Sequence, residues 1–262
     1  MHSYRAANEI DVITTSFPIP GYGFVPVNAF VLNGPEPILV DTGTVVESDD
    51  FMTTLRSVID PAELRWIWLT HTDFDHIGSL QRLLDENPRI TLITTFLGVG
   101  IMSLASPLPM DRLRFVNPGE QVTLGNRTLA AFRPPAFDNP STTGFYERTS
   151  RTLFSSDCFG ALLQDVPENA ADLSEQALRE GQVFWATVDS PWLHKVDEKT
   201  LAGELKAIRA MEPELILSSH LPMAPASLTE RLLASIAETP KAQPFVGPDQ
   251  AGLEQMLKEM TG

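Results

Sequence analysis

The sequence predicts a layered α/β fold built around a single core. Strand-like and helix-like hydrophobic patterns alternate through the first hundred residues, which is typical of helices packed on sheets. The chain has 262 residues, of which 43% are apolar, enough for one domain of roughly 200–250 residues. Clusters of Asp, Ser and His follow three of the short apolar strands. We therefore expect a functional site at the sheet edge where those strands end.

Local signals define the elements in chain order. Residues 27–32 and 37–40 form a hairpin, because the turn signal Asn33-Gly34-Pro35 separates them. Ser48 and Asp49 offer N-cap oxygens to the first helix, which ends before Pro61. The predicted strands are residues 27–32, 37–40, 66–69, 90–94, 121–124, 128–132, 142–146, 152–154 and 214–217, and the predicted helices are residues 48–58, 77–84, 173–188, 198–211, 228–236 and 250–260. We expect residues 1–240 to form the domain and residues 241–262 to form a linker and a C-terminal helix.

Composition excludes several classes of protein. With 19 basic and 34 acidic side chains the formal net charge is −15, which disfavours binding to nucleic acids and anionic membranes and favours cations as partners. Cys158 is the single cysteine, so no intrachain disulfide can form. We find neither a signal peptide nor an apolar run of the roughly 18 residues that span a bilayer. We therefore expect a cytoplasmic protein.

The segment His71-Thr72-Asp73-Phe74-Asp75-His76 places four potential metal ligands within six residues, between an apolar strand and an apolar helix. Imidazole and carboxylate ligands suit zinc, iron or manganese, and carboxylate-rich sets favour iron or manganese. Alternatively, the segment only caps the following helix, where the negative charge of Asp75 is favourable. Asp157 and His220 also follow short apolar strands. Because three strands then direct ligands to one edge, we favour a metal site.

These residues resemble the metallo-β-lactamase superfamily, whose loop signature His-x-His-x-Asp-His follows a strand and is preceded by an Asp-Thr-Gly turn. Asp41-Thr42-Gly43 is similar to that turn. The resemblance covers about residues 10–225 and implies an αββα four-layer sandwich with one or two metal ions at the sheet edge. By position, His71, Asp75 and His76 match three of the four loop ligands of the family, Asp157 matches the bridging aspartate and His220 matches the late histidine.

Two departures from the signature refine this prediction. Asp73 replaces the second loop histidine, which resembles the flavodiiron branch, where a carboxylate occupies that place and the metals are iron. The middle histidine of the family is missing between residues 130 and 142. We expect Arg133 to stand in its place, as a vacant-ligand or substrate-binding position, with Asp138 as a substitute ligand. The flavodiiron resemblance implies a flavodoxin-like domain after the sandwich, and we expect this chain to lack one.

Three metal-dependent functions remain open at this point, beside the alternative of a degenerate member of the fold that binds no metal. A site of one or two iron ions would bind or reduce a small oxidant such as dioxygen or nitric oxide, with electrons from a separate donor. A zinc or manganese hydrolase would activate a metal-bound water for a small-molecule substrate. A sensor would bind metal and oxidant without turnover. We favour the first and expect Asp75 and Asp157 to be the catalytic carboxylates; a homo-oligomer is compatible with all three.

Overall fold

The computed structural model describes residues 1–261, with side chains to residue 258. The N-terminal sheet has seven strands in sequential order. Strands β1 to β4 are antiparallel to their neighbours, whereas β4 to β7 run parallel. The strands are β1 (His2–Ala7), β2 (Ile10–Ile19), β3 (Gly23–Leu32), β4 (Ile38–Val40), β5 (Trp66–Trp68), β6 (Thr91–Thr94) and β7 (Leu113–Phe115).

The second sheet has six strands and a parallel pair near one edge. Its strands are β8 (Gln121–Leu124), β9 (Arg127–Phe132), β10 (Gly144–Glu147), β11 (Thr152–Phe154), β12 (Leu215–Leu217) and β13 (Ala224–Pro225). Their order is β13-β12-β11-β10-β9-β8, and β11 and β12 are parallel. The carboxyl ends of β11 and β12 therefore lie side by side.

Seven α-helices accompany the sheets in the described part of the chain. They are α1 (Ser48–Val58), α2 (Leu80–Glu86), α3 (Phe96–Met102), α4 (Glu175–Asp189), α5 (Glu198–Ala210), α6 (Thr229–Glu238) and α7 (Gln250–Thr261). The apolar faces of α1 and α2 pack on the outer face of the first sheet, and those of α4, α5 and α6 pack on the second. This arrangement buries two helix–sheet cores.

The third core lies between the two sheets. Phe30 of β3 contacts Phe154 of β11 edge-on, with 5.5 Å between ring centroids, and Trp68 of β5 lies 4.6 Å from Phe145 of β10. All four side chains are fully or almost fully buried, and aromatic pairs of this kind contribute strongly to core stability. The layers therefore run helix, sheet, sheet, helix. The predicted αββα sandwich is confirmed.

Five elements of the structure were not predicted, namely β1, β2, α3, β7 and β13. No strand was predicted before residue 27, yet β1 and β2 form a hairpin over residues 2–19. The pattern is obscured because Asp11 lies buried within β2, where Arg5 and Asn33 satisfy its two oxygens. No helix in the described part of the chain is long and apolar enough to cross a bilayer. The division at residue 240 stays a prediction.

Candidate metal centre

The predicted ligand loop is fastened to the Asp-Thr-Gly turn by backbone hydrogen bonds. The amide of Thr42 donates to the carbonyl of His76 at 2.7 Å, and the amide of Gly78 donates to the carbonyl of Gly43 at 2.8 Å. A Cβ atom on Gly78 would lie only 2.2 Å from the backbone of Thr44, so this approach requires glycine. The turn and the loop therefore form one rigid support.

Asp41 orients His76 and is itself held in place. Its Oδ2 lies 2.9 Å from Nδ1 of His76, and its carboxylate accepts bonds from the amide and hydroxyl of Thr70 at 2.8 Å each. Asp41 has φ of 58°, a left-handed conformation that is uncommon for residues other than glycine and is often found at functional sites. Because Nδ1 of His76 is engaged, its Nε2 is left for a ligand role.

His71 and His220 are oriented in the same way. The hydroxyl of Ser156 lies 3.2 Å from Nδ1 of His71, and Nδ1 of His220 donates to the carbonyl of Pro26 at 2.8 Å. Ser156 also has a left-handed backbone, with φ of 53°. All three histidine rings are buried. Their Nε2 atoms converge on Asp157, which follows β11.

The second position is the group formed by Asp75, His76, His220 and Asp157. Oδ2 of Asp75 lies 3.4 Å from both imidazole Nε2 atoms, and Oδ1 of Asp157 lies 3.3 Å from both. Ligand atoms that bind one ion at about 2.0–2.2 Å, with bond angles of about 90–110°, lie about 2.8–3.6 Å apart. These spacings therefore fit a single metal ion.

The first position is the group formed by His71, Asp73, Asp138 and Asp157. Nε2 of His71 lies 3.2 Å from Oδ2 of Asp157 and 3.9 Å from both Asp73 Oδ2 and Asp138 Oδ1. The two oxygens of Asp157 thus face different positions. The spacings to Asp73 and Asp138 are wider than those of the second position, so an ion must draw these ligands inward. We expect the first position to bind more weakly.

Unpaired polar atoms support a metal at both positions. Nε2 of His71, Nε2 of His76 and Oδ1 of Asp157 are buried and make no hydrogen bond. Buried polar groups are normally satisfied, and an unsatisfied one points to a missing ion or water. The donor set of imidazole and carboxylate suits iron, manganese or zinc.

Arg133 braces the loop that carries Asp138. Its Nη1 donates to the carbonyl of Pro140 at 2.9 Å, and its guanidinium lies 5.0 Å from the centre of the Phe137 ring. Trp192 closes the loop from the other side by donating to the carbonyl of Phe137 at 2.7 Å. The structure therefore places Asp138, not Arg133, among the candidate ligands.

Asn139 links this loop to the ligand loop. Its Nδ2 donates to Oδ1 of Asp73 at 2.8 Å, and its Oδ1 accepts from the amide and hydroxyl of Ser141. The bond leaves Oδ2 of Asp73, the oxygen that faces His71, available for an ion. Asn139 was not identified from the sequence, because nothing in its neighbours distinguishes it from an ordinary turn residue.

Opposite charges shift the pKa values of the buried ligands. Burial would raise the pKa of Asp75 and Asp157, but nearby imidazoles outweigh it and hold both pKa values well below their usual range. Burial would lower the pKa of His220, but Asp157 and Asp75 raise it to about 9. The pKa of His76 is also raised, mainly by Asp75 and Asp157 against burial. Burial lowers the pKa of His71.

One further carboxylate, Asp189, belongs to the cluster and was missed by the sequence analysis. It ends α4, and its carboxylate forms a group with those of Asp138 and Asp157, with one oxygen from each within 4.8 Å of the others. Burial, followed by the charge of Asp157, raises the pKa of Asp138 to about 8 and that of Asp189 to about 7. An acidic residue at a helix C-terminus is unfavourable, which is the one sequence signal that pointed to it.

Comparison with known proteins agrees with this fold. The model of the family described as ODP family beta lactamase matches residues 25–220. An uncharacterised protein of Methanocaldococcus jannaschii is 24% identical over 193 residues, which are 74% of this chain and 48% of that protein. The present chain therefore spans about half the length of that relative.

Solved protein structures also match this fold. The rubredoxin oxygen:oxidoreductase of Desulfovibrio gigas superposes with a TM-score of 0.79 at 18% identity, covering 93% of this chain and 63% of that chain. The flavodiiron protein of Giardia intestinalis gives 0.79 at 15% identity, covering 92% and 60%. The resemblance to flavodiiron proteins that the sequence predicted is confirmed. Since the family model covers well over half of the residues, the chain belongs to the ODP family of beta lactamases and has the metallo-β-lactamase fold.

Proposed function

We propose that the chain holds a diiron centre that binds or reduces a small oxidant such as dioxygen or nitric oxide. The observation that supports this most is the position of Asp157, whose two oxygens face two separate groups of imidazole and carboxylate donors. A shared carboxylate brings two metal ions close enough to act on one small molecule.

The donor types favour iron over zinc. The two positions draw on four carboxylates and three imidazoles, and carboxylate-rich sets suit iron or manganese better than zinc. The similar proteins of known structure are named as a rubredoxin oxygen:oxidoreductase and a flavodiiron protein. Zinc and manganese are the alternatives that metal analysis must exclude.

The carboxylates form the exposed part of the centre. Asp73, Asp75 and Asp138 keep side-chain exposures of 42%, 35% and 27%, whereas the imidazoles and Asp157 are buried. A molecule that approaches the centre therefore meets these carboxylates first. Two divalent ions would neutralise the four carboxylates of the two positions, so a neutral diatomic molecule can approach without an electrostatic barrier.

The chain's own residues have distinct roles in this proposal. Bound iron would supply the electrons and the binding site for the oxidant. Asp157 holds the two positions together, Asp41 fixes the ring of His76, and Asn139 leaves one oxygen of Asp73 free to face the centre. Asp75 faces the second position and is part-exposed, so it is placed to contact the oxidant as well as the ion.

Electron delivery, assembly and location complete the proposal. We infer a separate electron donor, because the similar protein of Desulfovibrio gigas is named as a rubredoxin oxygen:oxidoreductase. A homo-oligomer and a cytoplasmic location agree with the acidic composition and the lone cysteine. These points rest on composition and on the likeness to longer relatives.

Anaerobic loading with Fe(II) tests the proposal. We expect up to two iron ions per chain and an absorption change when dioxygen or nitric oxide is added, because both would bind at the centre. The variant His76→Ala should lose iron, whereas His2→Ala, which removes an exposed histidine outside the cluster, should not. Preference for zinc over iron under competition, with hydrolytic activity and no reaction with either oxidant, would overturn it.

A further inference from the structure

The C-terminus of helix α4 carries a carboxylate that has no lysine or arginine beside it in the described structure. Asp189 is the last residue of α4, and the last turn of that helix contains no basic residue. Its one side-chain hydrogen bond comes from the hydroxyl of Ser190, at 3.0 Å. The negative end of the helix dipole and the buried surroundings both oppose a charge here.

Two more carboxylates face Asp189. One oxygen each from Asp138, Asp157 and Asp189 lie within 4.8 Å of one another. Like charges this close repel strongly in a partly buried place. No lysine or arginine pairs with any of the three among the ion pairs of the described residues. A bound cation would relieve this repulsion, as a proton does in the metal-free chain.

An independent observation points to a ligand at the same place. The side chain of His71 is completely buried, and its Nε2 makes no hydrogen bond. That nitrogen faces two members of the cluster, at 3.2 Å from Asp157 Oδ2 and 3.9 Å from Asp138 Oδ1. A lone pair directed at converging carboxylate oxygens is the arrangement that a metal ion completes.

We propose that Asp189 is a metal ligand of the first position, and that it makes this position an oxygen-rich site for a hard ion. With Asp189 the position has four carboxylates and one imidazole, whereas the second position has two of each. Oxygen-rich sets prefer manganese or iron, and sets with two imidazoles accept zinc readily. The two positions therefore differ in metal preference. This inference rests on the proposed metal centre but not on the oxidant it handles.

Sequential loading tests the inference. Metal-free protein receives one equivalent of Zn(II), which should fill the second position, and is then titrated with Mn(II) while the electron paramagnetic resonance signal of free Mn(II) is recorded. We expect one Mn(II) to bind to the unmodified chain. Asp189→Asn should weaken Mn(II) binding at least about 100-fold, as expected for loss of a direct ligand, without changing Zn(II) binding. Asp172→Asn, which removes an exposed carboxylate elsewhere, is the matched control.

A second variant detects direct ligation. In Asp189→Cys the new thiol should bind Cd(II) and give a thiolate-to-metal charge-transfer band in the near ultraviolet. The unmodified chain should lack this band, because Cys158 packs in the hydrophobic core and belongs to none of the ligand groups of the described residues. Mn(II) binding to Asp189→Asn that equals the control, or no band in Asp189→Cys, would overturn the inference alone. If the unmodified chain binds neither Zn(II) nor Mn(II), the inference and the proposed function both fail.

Discussion

Replacement of Asp157 should empty both metal positions, whereas replacement of Asp73 should empty one. Oδ1 of Asp157 lies 3.3 Å from the Nε2 atoms of His76 and His220, and Oδ2 lies 3.2 Å from that of His71. Among the three imidazoles, Asp73 faces only that of His71, with 3.9 Å between Oδ2 of Asp73 and Nε2 of His71, and its side chain is part-exposed. The variants Asp157→Asn and Asp73→Asn keep side-chain size and remove one negative charge each.

The expected loss can be estimated from the role of each oxygen. Removal of a group that only orients a metal ligand costs about 10–100-fold in affinity, so loss of a direct ligand should cost at least about 100-fold, or about 2.7 kcal/mol, at each position it serves. In Asp157→Asn this loss of affinity occurs at both metal positions. An ion that the unmodified chain binds with a micromolar dissociation constant would then have a dissociation constant of about 100 micromolar and would leave during dialysis.

Metal content per chain after dialysis, measured by mass spectrometry of the elements, is the assay. We expect almost no metal in Asp157→Asn and about one ion in Asp73→Asn, held at the second position. Circular dichroism and the melting temperature of the metal-free variants show whether both remain folded, and Asp172→Asn controls for a lost surface charge. An Asp73 variant emptier than the Asp157 variant would refute the assignment of Asp157 as the bridge.

Three further predictions concern protons, the missing histidine and the thiol. The pKa of His220 is raised to about 9 and that of His76 is also raised, so at pH 7 a metal ion must displace their protons. Calorimetry in buffers of different ionisation enthalpy should therefore detect proton release. The apparent affinity for metal should rise with pH up to about 9, and an affinity that does not change with pH would contradict this. Asp138→His should strengthen zinc binding at the first position, because it adds an imidazole beside His71. Arg133→His should not, because the side chain of Arg133 braces the loop. A zinc titration in which Arg133→His binds zinc more tightly than Asp138→His would contradict this. Burial raises the pKa of the Cys158 thiol, so iodoacetamide should label it at pH 8 only after denaturation, and rapid labelling of the folded chain would show that it is accessible.

In the metal-free protein the raised pKa of His220 also makes the free energy of unfolding depend on pH. A group whose pKa is raised by folding stabilises the folded state fully below its unfolded pKa, about 6.5, and loses that contribution as pH rises through its folded pKa. For His220 the window therefore runs from about 6.5 to about 9. Bound metal replaces the proton and should remove this dependence.

The sequence predicted those parts of the site that follow strands directly. The loop after β5 and the segments after β11 and β12 each begin within a few residues of a short buried strand. Parallel neighbours bring their carboxyl ends to one edge, so local pattern and sheet topology together place Asp157 and His220 close to one another. The packing of the two sheets brings Asp75, which follows β5, to the same place. Their role as metal ligands stays a prediction until metal is measured.

Residues that depend on loop shape or on helix packing could not be placed from sequence. The choice between Arg133 and Asp138 depends on how the loop turns, which Trp192 and Arg133 determine through bonds to backbone carbonyls far along the chain. Asp189 reaches the centre only because α4 packs on the second sheet with its C-terminus at the ligand edge. Neither contact leaves a periodic signal in the sequence.

The scaffold prepares the three imidazoles before any ion is bound. Each Nδ1 is engaged by a group from a different part of the chain: Asp41 for His76, Ser156 for His71 and the carbonyl of Pro26 for His220. Asp41 and Ser156 adopt left-handed backbones that cost energy, and the surrounding sheets hold them there. Metal binding then needs little rearrangement at the second position, whose spacings already fit an ion. The first position must contract around His71, so the same scaffold predicts that the two ions bind with unequal affinity.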